Sequence, residues 1–270
     1  MKESKNPVKL VWAQLLVMSG LHTFFTINMD GYKLKFSRSA LAVTLFADKH
    51  ERNEDEDILK KILRPGDTYV DVGSNIGTLV LTAAKAVTPS GKVIAIEAHP
   101  ATFHNLRENI LLNKFHNIEA IHSAAGSKSG SIFFSDTNSD DQNKVVSDQS
   151  KGIKVNVNTL DHLLNHIRSI ELLKIDVEGY EKYVLEGATQ ALQKTDVILY
   201  ESWERHFLGF GYTTGNIITL LFENGFKVYK ILGNTIEMLT DSYSSLNCEN
   251  LLALKDANSF CNRSGYRISQ

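Results

Sequence analysis

The sequence predicts an α/β fold: a mostly parallel sheet with helices on both faces. From residue 68 onward, short apolar runs alternate with helix-length stretches, and the connections between them are short. The size agrees, because 270 residues with 43% hydrophobic and 22% charged content can bury one large core. No Pro/Gly/Ser-rich linker divides the chain. The expected organisation is an N-terminal helix and hairpin addition over residues 1–50, packed on a single domain over residues 51–270.

The elements follow in order. The run Leu10 to Ile27 is apolar but interrupted by Gln14, Ser19, His22, Thr23 and Thr26. A spanning helix needs about 20 predominantly apolar residues, and a signal peptide needs a cleaner apolar stretch with a small-residue cleavage site. The run therefore reads as a docking helix or crossing segment, with no stable membrane insertion. Residues 25–36 read as a hairpin turned at Asp30-Gly31. The acidic stretch Glu51 to Asp57 opens a helix toward Leu63, with negative charge at the favoured end, and Pro65-Gly66 ends it. Strands are then expected over Thr68–Val72, Lys92–Glu97, Ile118–His122, Glu171–Asp176 and Asp196–Glu201. Helices alternate with them over Ile76–Ala86, Ala101–Asn113, Thr159–Ile167 and Tyr180–Leu192. A further helix near Gly215–Asn224 precedes strands near Phe226–Ile231 and Leu251–Lys255, and polar residues 135–152 read as a loop or lid.

A net charge of −2 with mixed signs gives no reason to expect nucleic acid. The two cysteines, Cys248 and Cys261, make no disulfide framework and cannot fill a structural zinc site alone. A reducing, cytoplasmic setting is the expectation.

The stretch Tyr69-Val-Asp-Val-Gly-Ser-Asn-Ile-Gly77 carries the most chemistry. A strand runs into Asp71, then into a turn with Gly73, Asn75 and Gly77 at every second position. Such a turn allows close backbone approach to a ligand and aims the next helix N-terminus at it. A dinucleotide fingerprint begun at Gly73 would need glycine where Asn75 and Thr78 stand. The alternating acidic-x-Gly-x-Gly-x-Gly pattern of S-adenosylmethionine-binding methyltransferases fits better. Its one departure is Asn75, and Asn enters left-handed backbone readily.

Ligands in such sheets bind beyond the C-terminal strand ends, near the point where strand order reverses. Asp71, Glu97, Asp176 and Glu201 finish four successive expected strands there. Glu97 lies near the ~20-residue offset from which an acid accepts ribose hydroxyls. Asp71 fixes the loop or faces the methionyl part of the cofactor, and the helix start near Ile76 offers N–H groups to its carboxylate. The small residues Ala124 and Ala125 leave space for an adenine ring. Asp176 and Glu178, two apart at a strand end, can face one side, where a carboxylate could remove a hydroxyl proton. The competing assignment gives Asp176 to the cofactor and Glu178 to a helix cap. A buried Lys174 would need an acidic partner.

At this point the residues resemble the FkbM-type methyltransferases. The resemblance rests on Asp71-Val-Gly-Ser-Asn-Ile-Gly77, Thr159-Leu-Asp161, Lys174-Ile-Asp-Val-Glu-Gly-Tyr-Glu181 and Leu185-Glu-Gly-Ala188, and spans roughly residues 54–201. It implies a seven-stranded class I methyltransferase sheet, S-adenosylmethionine as donor, and O-methylation of a sugar, glycan or polyketide-like hydroxyl. By motif position Asp71, Gly73, Asn75, Gly77 and Glu97 carry over as cofactor residues, and Asp176 and Glu178 as site residues of unsettled role. Ser74, Ile76, Ala98, Ala124, Ala125 and Asp176 are expected to join the cofactor set, and Asp176, Glu178 and Glu201 are the expected catalytic groups, with no metal. Residues 1–50 and those after Trp203 carry no assignable motif.

Two other classes compete. An NAD(P)-dependent oxidoreductase on a related sheet is opposed by the failed glycine spacing, and a non-catalytic module of the same fold by the intact loop and acids. Asp176, Glu178 and Glu201 could alternatively hold Mg²⁺ or Ca²⁺. His162 and His166 have the i, i+4 spacing of a zinc pair but lack the Glu of H-E-x-x-H, so they read as surface histidines. His206 could sit near the site as an acid–base group.

Overall fold

The computed structural model describes residues 7–135, 145–146 and 152–269. The chain opens with α1 (Pro7–Met18), a 3-10 turn, and a hairpin of β1 (Thr26–Asn28) and β2 (Lys33–Lys35) in which Ile27 opposes Leu34. Next come α2 (Ala40–Ala47), capped by the Ser39 side chain, and α3 (Asn53–Ile62). The first turn of α3 holds Glu54, Asp55 and Glu56 and its last turn holds Lys60 and Lys61, both matched to the helix dipole.

The main unit follows: β3 (Thr68–Val72), α4 (Thr78–Val87), β4 (Lys92–Glu97), α5 (Pro100–Asn113) and β5 (Ile118–His122). An excursion contains β6 (Ala124–Ala125), β7 (Gly130–Ser135), β8 (Val145–Val146) and β9 (Gly152–Asn158), which pair as a small separate sheet. The chain returns through α6 (Leu160–Leu163), β10 (Ile170–Ile175), α7 (Glu181–Glu186), α8 (Thr189–Gln193) and β11 (Thr195–Ser202). It finishes with α9 (Glu204–Gly209), α10 (Thr214–Glu223), β12 (Lys227–Leu232), β13 (Thr235–Met238), β14 (Glu249–Leu254), α11 (Ala257–Ser264) and β15 (Arg267–Ile268).

Among the described residues the main sheet has the order β15-β13-β12-β14-β11-β10-β3-β4-β5. The strands from β11 to β5 run parallel, and β14 is antiparallel to both its neighbours. The strands from β12 to β5 are the seven expected; the short β13 and β15 widen the sheet beyond them. The order reverses between β3 and β10, because the chain moves outward from β3 through β4 to β5 and from β10 the other way to β11. Successive residues face opposite layers, so Val70, Ile94 and Leu173 enter one core while Tyr69, Val93 and Leu172 enter the other.

The N-terminal segment shares a third core with α4, where Leu34, Phe36 and Leu45 meet Ile76 and Leu81. The outer side of α1 leaves Val8, Val11, Trp12 and Leu15 exposed. No helix of the described residues is long and apolar enough to cross a membrane.

Three elements differ from expectation. The helix expected over 180–192 is two helices, broken at Gly187, where a Cβ would lie 2.0 Å from the Gly126 carbonyl oxygen. Asp161 Oδ1 then accepts the N–H groups of Gln190 and Ala191, each at 2.8 Å, and caps α8. The helix expected over 159–167 stops at Leu163, so His162 and His166 do not share a helix face; His166 instead lies 3.1 Å from Glu119. The polar stretch 135–152 begins in β7, contains β8 and ends in β9, while residues 136–144 and 147–151 lie outside the described residues.

Candidate active site

The loop after β3 takes the expected left-handed turns, with φ of 86° at Gly73, 49° at Asn75 and 94° at Gly77. Gly73 N and Ser74 N both donate to the Ile96 carbonyl, at 3.0 and 3.1 Å, which ties the loop to β4. The reason for glycine differs from the sequence reading. A Cβ on Gly73 would lie 1.8 Å from the Asp176 carbonyl oxygen, and one on Gly77 would lie 2.6 Å from Leu106 Cδ1. The missing side chains let the protein pack against itself at both positions.

The helix expected at Ile76 begins two residues later, at Thr78. Ile76 is fully buried in the N-terminal core, and its N–H is taken by Asn75 Oδ1 at 2.7 Å. Ile76 therefore supports the loop from behind, and Thr78 and Leu79 supply the helix start that lines the cavity. Gly77 caps α4 without a side-chain bond, so the first N–H groups of the helix are not taken by a cap.

The structure gathers most of the remaining expected residues around one cavity at the switch point. Asp71, Gly73, Ser74, Asn75, Glu97 and Ala98 form one wall. Ala124 and Ala125 of β6 form the floor, and Asp176, Val177, Glu178 and Tyr180 close the other side. Strand β10 stops at Ile175, so Asp176 and Glu178 reach the cavity from a loop; Glu178 itself is left-handed at φ 56°. Val145 of β8, within the stretch expected as a loop or lid, also lines the cavity, as does Phe134 of β7 just before that stretch.

The acids sit in unlike environments. Glu97 Oε2 accepts the Asn75 N–H at 2.9 Å and Oε1 the His99 N–H at 2.8 Å. Burial outweighs these bonds and pushes Glu97 up to about 7. Asp71 is also raised by burial, to about 6, against the pull of Lys174. Lys174 is buried as expected, and its Nζ donates to Asp176 Oδ2 at 2.8 Å and lies 4.0 Å from Asp71 Oδ1. Burial alone would raise Asp176, but Lys174 and then Arg52 outweigh it and hold it below the usual carboxylate range. An acid held low is a poor proton acceptor, so this environment suits Asp176 to a standing charge.

Glu201 does not line the cavity. It belongs to an adjoining cluster in which one ligand atom each from Glu178, Glu201 and His206 lie within 4.8 Å of one another. His206 Nδ1 is 3.5 Å from Glu178 Oε2, and the Cys248 thiol donates to Glu201 Oε1 at 3.0 Å. Burial, then the charge of Asp176, push Glu201 up to about 7. Two carboxylates and an imidazole can accept protons or ligate a divalent cation. The cation trio read from sequence contained Asp176; His206 takes its place because Asp176 turns to Lys174.

Sequence reading missed Arg52, which lines the cavity from the head of α3. The one hint was a lone guanidinium inside the acidic run 51–57.

Residues 71–228 match the family model of the methyltransferase FkbM domain. Over 181 residues the chain is 31% identical to the hexuronic acid methyltransferase AglP of Haloferax volcanii, covering 64% of this chain and 72% of that one. It is 29% identical over 148 residues to methyltransferase 1 of Beauveria bassiana, covering 46% of this chain and 59% of that one. A SAM-dependent methyltransferase structure from Aquifex aeolicus overlays with a TM-score of 0.46 at 15% identity, covering 77% of this chain and 94% of that one.

Proposed function

The chain belongs to the FkbM methyltransferase family, with S-adenosylmethionine as methyl donor, and from that premise we propose that it methylates a hydroxyl oxygen of a sugar-type acceptor. The cavity's chemistry fits the donor. Glu97 could accept ribose hydroxyls, the small Ala124 and Ala125 would leave space for the adenine ring, and the N–H groups at the start of α4 could receive an amino-acid end. These groups, with the family match, set aside the dinucleotide alternative.

The observation that carries the oxygen assignment is the trio Glu178, Glu201 and His206 beside the donor cavity. When bound, S-adenosylmethionine supplies an electrophilic methyl carbon. An attacking hydroxyl must lose its proton, and a base poised near neutral pH does this best. Glu201, raised to about 7, meets that condition, with Glu178 and His206 beside it to share the proton. Asp176, kept charged by Lys174, orients the acceptor or the donor rather than taking the proton. Holding the reacting atoms in line supplies much of the remaining acceleration. The sugar-type acceptor is supported by the relative of 31% identity that acts on a hexuronic acid.

Transfer of a labelled methyl group from S-adenosylmethionine to hexuronic acids, neutral hexosides and amino sugars tests the proposal. Label recovered as an ether on a sugar hydroxyl oxygen is the expected result, and label found only as a methyl ester on a carboxylate would overturn the proposal. Label confined to nitrogen, or no transfer to any sugar by an enzyme that binds the donor, would overturn it.

A further inference from the structure

We infer that Arg52 receives the carboxylate at the methionine end of the donor, so that the segment before the family-matched region completes the cofactor site. This rests on the reading of the cavity as the donor's. Arg52 lies outside the matched residues 71–228, and nothing in the glycine loop or the strand-end acids accounts for it.

The donor ends in an α-amino acid, a carboxylate and an ammonium a few ångströms apart. A carboxylate taken from water into a lined cavity is costly unless a cation or several N–H groups meet it. The cavity wall has two candidates among the described residues, Arg52 and Lys174. Lys174 is already committed, 2.8 Å from Asp176 Oδ2 and 4.0 Å from Asp71 Oδ1. Arg52 is not. A guanidinium has five N–H donors in a planar fork, and among the described residues Arg52 uses Nη1 alone, toward Asp55 Oδ2 at 2.9 Å.

That single bond holds the fork in place. Asp55 Oδ1 accepts Asn250 Nδ2 at 2.9 Å, so Asp55 is braced from β14 on one side and grips Arg52 on the other. The Arg52 side chain is 29% exposed, which leaves it reachable from the cavity it lines. Thr78 and Leu79, at the start of α4, line the same cavity and bring helix N-terminal N–H groups to it as well.

The surrounding charge suits a zwitterion better than a simple anion. Asp55, Asp176 and Glu201 stand around Arg52, and a lone carboxylate entering there would be repelled by them. An amino-acid end brings its own ammonium, which these acids attract while the carboxylate turns to the arginine. Acids and a guanidinium in one place therefore suit a ligand end that carries both an ammonium and a carboxylate.

The test uses calorimetric titration of the full chain with S-adenosylhomocysteine and with 5′-methylthioadenosine, which keeps the adenosyl and sulfur but lacks the amino-acid end. Arg52→Ala should weaken S-adenosylhomocysteine about 10- to 100-fold, the range for losing a charge-assisted pair. The methylthioadenosine affinity should change less than about twofold. Arg52→Lys keeps a cation beside Asp55 and should fall between, and it serves if the alanine variant fails to fold. Equal weakening of both ligands would make Arg52 a scaffold for the fold, and no weakening of either would place the carboxylate elsewhere; each overturns the inference. Failure of the wild type to bind either ligand would instead overturn the donor reading beneath it.

Discussion

The two walls of the cavity bury acids of the same kind and drive them in opposite directions. On the β4 side Glu97 accepts backbone N–H groups and, among the described residues, pairs with no cation; burial pushes it up to about 7. On the β10 side Asp176 shares its burial with Lys174 and Arg52 and is held low. Depth in the protein does not decide the outcome; direct pairing with a cation does, since Asp71, 4.0 Å from the same Lys174, stays raised to about 6 while Asp176, bonded to it at 2.8 Å, is held low. One wall thus keeps a carboxyl that can exchange a proton near neutral pH, and the other keeps a fixed charge.

Removing the cation is the strongest way to break this difference. Lys174→Met leaves Asp71 and Asp176 facing each other without their shared ammonium. The expected loss is about 3–5 kcal/mol in urea denaturation, the usual cost of stranding a buried charge. A loss below about 1 kcal/mol would show that water reaches the pair.

Disturbing the seam between the walls comes next. Gly73→Ala combines a left-handed residue at φ 86° with a Cβ 1.8 Å from the Asp176 carbonyl oxygen. A loss of about 2–3 kcal/mol and a clear fall in S-adenosylhomocysteine affinity are expected. Gly77→Ala should cost less, since the obstructing atom is the tip of the Leu106 side chain.

Proton titration sharpens the comparison from the Glu97 side. Glu97 and Glu181 are raised by burial, to about 7 and about 8, from ordinary values near 4.5. The folded protein keeps protons that the unfolded chain releases, so this stability is complete below about 4.5 and is lost as pH rises through 7 to 8. At about 1.4 kcal/mol per pH unit each, the two groups together should take roughly 5 kcal/mol from the ligand-free protein between pH 5.5 and 8, read from melting curves. S-adenosylhomocysteine should bind more tightly over the same rise, because ribose hydroxyls prefer the ionised Glu97. A melting temperature that climbs with pH would contradict the assignment.

The smallest expected effect concerns Glu178, Glu201 and His206. If the trio accepts a proton, turnover after exhaustive chelation should stay within about twofold of the untreated enzyme. A fall of about tenfold or more, reversed by Mg²⁺ or Mn²⁺, would make the trio a cation site.

These contrasts also separate what the residues disclose by themselves from what only folding brings about. The β3 loop and Glu97 were legible because one βαβ unit holds them in close sequence, so spacing alone stated their geometry. Asn75 could be read as left-handed from its chemistry. Asp161 was visible as part of a motif, but its task of capping α8 was not, because that cap joins segments that only the fold brings together. His206 could be placed near the site only loosely, and Arg52 not at all, since one comes after the last motif and the other before the first. The break at Gly187 escaped for a related reason: the atom that forbids a side chain there belongs to Gly126.

The contact between Gly73 and the Asp176 carbonyl has a consequence for inheritance and engineering. Two stretches far apart in the chain are moulded to one another with no space between them. A chimera whose imported loop carried a side chain in place of the glycine at position 73 would meet a mismatch at the centre of the crevice. Recombination that respects this fold must keep that position bare.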